Sequence, residues 1–276
     1  ITHPDPTLAW DMTDLPIIQK GKAFLNISEK DGWRQLYRVA MNGKSEQLLT
    51  KETFDIARFH QVDEKTNTIY VNASPDNPTQ RYLYQMSLNG RSKAKKLTPA
   101  NQSGLHRYNI SPNGRYAINS WSNANTPPTI ELVSLPDHKT LRTLVDNHAY
   151  KAQIAKLALT PVAFFKVKTE DGLEMAGYMI KPANFDAAKK YPILFHVYGE
   201  PWGQTATDAW SSLWHRLMVQ KGYIIISVDN RGTPSLKGRD WRKSIYRKIG
   251  VIKARDQARA PKAIIKPYPF VVAHRI

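Results

Sequence analysis

One tyrosine of this chain stands where chemistry is expected. The run Tyr191-Pro192-Ile193-Leu194-Phe195-His196-Val197-Tyr198 is nearly all apolar and leads into Gly199-Glu200-Pro201. In an open parallel sheet, ligands bind beyond the carboxyl ends of the strands. Tyr198 would then be a phenol at that end, able to donate a hydrogen bond to a developing oxyanion. A packed tyrosine whose hydroxyl merely finds a partner fits the same position. Position alone leaves both readings open.

Other chemical signatures fall away. No Gly-x-Ser-x-Gly nucleophile elbow occurs. Asn42-Gly43-Lys44-Ser45 resembles the end of a phosphate loop, but Arg38 stands where the earlier glycine is required. There is no Gly-x-Gly-x-x-Gly fingerprint, so no dinucleotide cofactor is expected. The eight histidines are scattered and none has His-Glu-x-x-His spacing, so no metal site is expected. The absence of cysteine excludes disulfides, thiolate zinc sites and a cysteine nucleophile. Sequons such as Asn26-Ile27-Ser28 are too common to carry weight.

The elements around Tyr198 read as the start of an α/β domain. Phe164-Phe165-Lys166-Val167-Lys168 is a strand, Glu170-Asp171-Gly172 its turn, and residues 173–180 the return strand. The runs at 191–198 and 222–228 are nearly continuous apolar runs, which suit strands buried on both faces of a parallel sheet. Between them, residues 208–220 have helical spacing, with Trp210, Leu213, Trp214, Leu217 and Met218 on one side. Strand, helix and strand make a βαβ unit. A second helix is expected over residues 249–265, kinked or broken at Pro261. A third parallel strand is expected from about His274.

The first half repeats itself. Leu36, Leu83 and Ile130 are 47 residues apart. Leu36-Tyr37-Arg38-Val39-Ala40-Met41-Asn42-Gly43 matches Leu83-Tyr84-Gln85-Met86-Ser87-Leu88-Asn89-Gly90. The third copy keeps the alternation and replaces Asn-Gly with Pro136-Asp137. Alternation suits a half-buried strand, and Asn-Gly supplies two residues that accept positive φ at a hairpin turn. Thr68-Ile69-Tyr70-Val71 and Tyr116-Ala117-Ile118-Asn119 add strands between the copies. A period of about 40–50 residues with four short strands describes a β-propeller blade. Phe24-Leu25-Asn26-Ile27 is expected to belong to part of a further blade. Closure takes about 4–8 blades, so more are expected before Ile1 or from another chain.

Composition narrows the classes. The 276 residues are 41% apolar and 23% charged, an ordinary globular mix. The formal charge of +17 invites a nucleic-acid reading. Yet residues 221–276 carry 14 Lys and Arg against 3 Asp and Glu, interleaved with Ile224, Ile225, Ile226, Ile249, Val251, Ile264 and Ile265. That pattern describes a charged face on a folded body, with no basic-aromatic recognition module, so no nucleic-acid partner is expected. No 18-residue apolar run could span a bilayer.

With these motifs in order, the chain resembles the dipeptidyl peptidase IV branch of the prolyl oligopeptidase family of serine peptidases, in a bacterial form. The resemblance covers nearly the whole chain. It is carried by Ser28-Glu29-Lys30-Asp31-Gly32-Trp33-Arg34-Gln35-Leu36-Tyr37 and by Tyr191 to Pro201. Val228-Asp229-Asn230-Arg231-Gly232, Arg247-Lys248-Ile249-Gly250 and Arg255-Asp256-Gln257 complete it. Residues 201–220 match poorly.

The resemblance implies a partial β-propeller of about three blades over residues 1–155. A partial α/β-hydrolase domain would follow over residues 156–276, cut before the nucleophile elbow. It implies release of N-terminal dipeptides, sometimes tripeptides, after Pro or Ala, through an acyl-enzyme. Tyr198 becomes the side-chain oxyanion donor, beside the backbone N–H of the residue after the nucleophilic serine. Family serine, acid and histidine would all follow Ile276, and the acidic pair for the substrate amino terminus would precede this stretch. No nucleophile, base or acid is therefore assigned, and the chain alone is expected to be inactive and to expose an unpaired apolar sheet edge. Peptides are the expected partners, with a possible homodimer for the longer parent, in the periplasm or secreted. A non-catalytic propeller scaffold is the alternative.

Overall fold

The structure is a computed structural model and describes residues 15–265 and 270. The chain divides into two compact units. One comprises residues 1–121, 130–145 and 236–240; the other comprises 122–129, 146–235 and 241–276.

Among the described residues, three four-stranded antiparallel sheets, the expected propeller blades, precede residue 146. Ile17–Ile18, Ala23–Ser28, Gln35–Ala40 and Glu46–Leu48 (β1–β4) form the first. Ile56–Asp63, Thr68–Ala73, Tyr82–Ser87 and Lys95–Lys96 (β5–β8) form the second. Leu105–Ile110, Tyr116–Asn123, Thr126–Ser134 and Thr140–Val145 (β9–β12) form the third. In each sheet the strands lie in chain order. The 47-residue spacing is therefore structural: Leu36, Leu83 and Ile130 all lie on the third strand of their sheets.

Phe24-Leu25-Asn26-Ile27 does not start a separate blade. It lies in β2 and pairs with β3, Phe24 opposite Val39 and Ile27 opposite Leu36. The cause is the turn between them, where Gly32 at φ +91° donates its N–H to Glu29 and sends the chain straight back.

The Asn-Gly turns also differ from expectation in detail. Only the glycines take positive φ, +70° at both Gly43 and Gly90. Gly43 N–H donates to Ala40 at 2.8 Å, and the Asn42 side chain accepts from Lys44 N–H at 3.0 Å. Asn89 repeats this with Arg91 at 3.0 Å. The asparagine stabilises the turn through its side chain, not through its own backbone angle. In the third blade the positive φ falls one residue later than Pro136-Asp137, at His138 (φ +54°).

Neighbouring blades share cores. Leu25, Leu36, Ile56, Ile69 and Val71 are buried in one cluster, and Tyr70, Leu83, Tyr108 and Val133 in the next. A polar network threads the second and third blades. His60 Nε2 lies 3.0 Å from Asn72 Oδ1, and Asn72 Nδ2 donates to the His106 carbonyl at 2.9 Å. The Tyr108 hydroxyl lies 2.8 Å from His138 Nε2 and 2.9 Å from Thr98 Oγ1.

Burial holds His60 and His106 in the neutral form down to about pH 4. An unfolded chain protonates its histidines near pH 6.5. Between those limits the unfolded state binds more protons, so stability falls as pH falls, by up to about 1.4 kcal/mol per pH unit for each such histidine. The His106 imidazole signals in NMR are expected to stay fixed from pH 7.5 to 5. A midpoint near 6.5 would contradict its neutral, buried state.

The second unit holds one mixed sheet. Its strands are Ala163–Lys168, Glu174–Ile180, Ile193–Phe195 and Ile224–Val228 (β13–β16), ordered β13-β14-β16-β15. β13, β14 and β16 pair antiparallel, while β15 and β16 run parallel. The α-helices among the described residues are His148–Ala155, Leu213–Gln220, Gly238–Lys243 and Ile249–Ile265 (α1–α4). α2 crosses between β15 and β16, which gives the expected βαβ unit. None of these helices is long and apolar enough to cross a membrane.

Three expectations are corrected here. The apolar run at 191–198 forms a strand only over Ile193–Phe195. The helix between the parallel strands starts at Leu213, where Ser212 Oγ caps it by accepting Trp214 N–H at 3.1 Å. Its buried side is His215, Arg216 and Val219, not the Leu213, Trp214 and Leu217 stripe, which is exposed. Arg216 turns inward because its guanidinium meets carbonyls of Thr160 and Ala124. Finally, α4 runs through Pro261 as one helix, its Ile252, Asp256, Ala260 and Ile264 buried on one side. Proline removes one backbone donor, and the buried stripe on both sides of it keeps the helix in register. The strand expected from His274 lies outside the described residues.

Candidate active site

The site is built where the parallel pair ends. β15 stops at Phe195, yet the chain stays tied to β16 for one more residue. His196 N–H donates to Ile226 at 2.8 Å, and the His196 carbonyl accepts from Ser227 Oγ at 2.6 Å. Tyr198 follows two residues later, beyond the carboxyl end of the strand. Its side chain is 48% exposed. Among the described residues, its hydroxyl has no hydrogen-bond partner. The ring rests against Gly203, where an added Cβ would lie 2.9 Å from Tyr198 Cε1.

The loop after β16 stands beside it. Asn230 Nδ2 donates to the Gly199 carbonyl at 3.2 Å. Gly199 takes φ +75°, a backbone state that disfavours side chains. Asp229 is buried and accepts from Thr205 N–H at 2.9 Å and Ala206 N–H at 3.2 Å. Burial pushes its carboxyl pKa up, and those donors oppose the shift. Asp229 therefore organises the 204–206 loop and is not a free base.

α4 backs this loop. Arg231 clamps Asp256 with Nε at 2.9 Å and Nη2 at 2.6 Å, and Asp256 is fully buried. The Asp256 carboxylate holds the Arg231 guanidinium pKa above its ordinary value. Gln257 Nε2 donates to Val228 O at 2.8 Å and Asn230 Oδ1 at 2.9 Å. Lys253 pairs with Glu200.

This arrangement can offer a phenol O–H to an oxyanion, with a hydrogen-bonded frame behind it. Among the described residues, no histidine ring is hydrogen-bonded to a serine or a carboxylate. His196 and His215 face each other with ring centroids 4.7 Å apart, and burial lowers the His215 pKa. Among the described residues, no group of three or more His, Asp or Glu could hold a metal ion. A cavity of about 370 Å³ lies away from Tyr198, at the end of α2, and no serine, histidine or carboxylate lines it. The phosphate-loop-like Asn42-Gly43-Lys44-Ser45 is the turn between β3 and β4.

Of the site residues, Tyr198 alone takes a role from the sequence. Asn230, Arg231, Asp256 and Gln257 are visible there only as parts of motifs, and their mutual contacts are not. Gly203 escapes sequence reasoning, since a lone glycine in a loop carries no signal of a ring stacked on it.

Comparison with known proteins agrees with this architecture. Residues 7–128 match the dipeptidyl peptidase IV N-terminal region, and residues 210–276 match the prolyl oligopeptidase family. Tyr198 lies between the two stretches. The dipeptidyl peptidase 4 of Trichophyton rubrum is 32% identical over 251 residues, covering 88% of this chain and 32% of that protein. The dipeptidyl peptidase 4 of Arthroderma otae is 31% identical over 279 residues, covering 96% of this chain and 35% of that protein. The crystal structure of Porphyromonas gingivalis dipeptidyl peptidase 4 superposes with a TM-score of 0.87 at 32% identity, covering 95% of this chain and 36% of that one. The chain thus spans about a third of the length of these relatives. With three blades followed by a β13-β14-β16-β15 sheet, it belongs to the dipeptidyl peptidase IV branch of the prolyl oligopeptidase family.

Proposed function

We propose that this chain is part of a serine-type exopeptidase that releases N-terminal dipeptides, or tripeptides, after Pro or Ala. Residues 1–155 would belong to its propeller and 156–276 to its hydrolase domain. The observation that carries the reading is the Tyr198 hydroxyl, half-exposed and unpartnered among the described residues at the carboxyl end of β15.

In this reading a serine from outside the chain attacks the scissile carbonyl carbon. The C=O π electrons move onto oxygen, and Tyr198 O–H donates to that oxyanion. Collapse expels the amine, which takes the serine's proton by way of a histidine, and leaves an acyl-enzyme. Water then attacks the ester by the same route and frees the dipeptide. Tyr198 keeps its own proton throughout. Its contribution is electrostatic, and it is largest when the charge is fully formed.

The residues of this chain would supply the oxyanion donor and its frame, and not the nucleophile. The 276-residue polypeptide is therefore expected not to hydrolyse glycyl-prolyl p-nitroanilide, whereas the full-length protein does, and a serine-directed phosphonate stops it. Turnover by the 276-residue chain that the phosphonate blocks would overturn the assignment of the nucleophile to residues outside it. A full-length protein without turnover would favour a non-catalytic propeller scaffold.

A further inference from the structure

The oxyanion donor stands on an exposed loop, and a phenol contributes to catalysis only if its direction is fixed before charge develops. The ring is not locked by deep burial. It has Gly203 on one side and is 48% exposed. Direction must therefore come from the backbone that carries it. On the N-terminal side, His196 is held by Ile226 and Ser227. On the C-terminal side, Lys253 pairs with the Glu200 side chain, and Asn230 holds the backbone at Gly199.

Asn230 is fully buried. Its Nδ2 donates to the carbonyl of Gly199, the residue next to Tyr198, at 3.2 Å, and to the Arg231 carbonyl at 2.7 Å. Its Oδ1 accepts from Gln257 Nε2 at 2.9 Å. Gln257 is itself anchored on the Val228 carbonyl of β16. The amide is thus bound at both ends, so its orientation is settled by the sheet and by α4. It transmits that setting to the Gly199–Glu200 peptide unit, one residue beyond Tyr198. An added Cβ at Gly199 would sit 3.2 Å from Asn230 Oδ1, so the approach is close.

We propose that Asn230, oriented by Gln257, is the positioning residue that aims the Tyr198 hydroxyl at the oxyanion. This rests on the reading of Tyr198 as the oxyanion donor. Asn230 does not touch the reacting atoms, so its effect passes through Tyr198.

A double-mutant cycle in the full-length protein separates this from a merely structural role. kcat and KM for glycyl-prolyl p-nitroanilide are measured for Asn230→Ala, for Tyr198→Phe and for the pair. Asn230→Ala is expected to lower kcat by roughly 10-fold, the scale of a small misplacement of a catalytic group. KM should stay within about 2-fold, as expected for loss of a transition-state contact alone. In the Tyr198→Phe background the same change is expected to lower kcat by less than about 2-fold, since the coupled group is already gone. An equal loss in both backgrounds, or no loss in the wild-type background, overturns the proposal. A Tyr198→Phe variant with unchanged kcat would instead overturn the reading of Tyr198 beneath it. Should Asn230→Ala not fold, Gln257→Leu releases the amide without touching Gly199 and enters the same cycle with the same two outcomes.

Discussion

Tyr198→Phe in the full-length protein is expected to lower kcat for a glycyl-prolyl amide by about 100- to 1,000-fold, the loss of one oxyanion-hole donor. The substitution keeps the ring and its contact with Gly203 and removes one O–H. KM is expected to move far less, because the negative charge on oxygen exists only as the transition state is approached. Steady-state kinetics on the two proteins check both parts. A kcat within about 3-fold of wild type, or an effect confined to KM, would remove Tyr198 from the reaction. The packed tyrosines of this chain make the contrast. Tyr108 has its hydroxyl bonded to Thr98 and His138, and burial pushes the Tyr178 pKa up to about 12. Neither hydroxyl is placed to meet a substrate. Tyr198 is the tyrosine at the end of the parallel pair, with its hydroxyl open among the described residues.

Arg231→Met is expected to destabilise the fold by about 3–5 kcal/mol, the usual result of stripping one partner from a buried ion pair. Asp256 is fully buried, and Arg231 supplies both of its close charged contacts, at 2.9 and 2.6 Å. Arg255 Nε at 3.9 Å is more distant and 42% exposed, so it does little to compensate. Replacing both partners, Arg231→Met with Asp256→Leu, is expected to cost much less than Arg231→Met alone, because no buried charge remains. Urea unfolding of the full-length protein, followed by tryptophan fluorescence, gives the comparison. Equal losses for the single and double variants would show that the pair matters through packing and not through charge.

The sequence carries a large share of this architecture, for physical reasons that can be named. The propeller is legible because each blade repeats one strand pattern and the first two share an Asn-Gly turn, so Leu36 and Leu83 mark the same place twice. The parallel pair is legible because strands buried on both faces are apolar at nearly every position, as Ile224-Ile225-Ile226 shows. Boundaries are less legible. Ala23–Ser28 reads as separate from its own blade because its turn is Asp31-Gly32, a hairpin signal outside the repeated Asn-Gly pattern. The inner face of α2 is misread because hydrophobicity ranks Trp214 and Leu217 above Arg216. Burial of Arg216 depends on carbonyls of Thr160 and Ala124, which are distant in sequence.

The candidate site is legible only at Tyr198, since a phenol ending an apolar run is a local signal. The frame behind it is not, because the bonds from Asn230 to Gly199 and from Gln257 to Asn230 span 31 and 27 residues. Side-chain amides give no periodic pattern that would announce such pairings.

The full-length protein is expected to remove dipeptides or tripeptides from amino termini. The direct test is mass spectrometry of the products formed when the full-length protein acts on a ten-residue peptide with a free amino terminus and proline at its second position. Release of the intact N-terminal dipeptide, with the remaining octapeptide as the other early product, is the result expected. Early release of single amino acids, cleavage in the middle of the peptide, or an untouched substrate would contradict it.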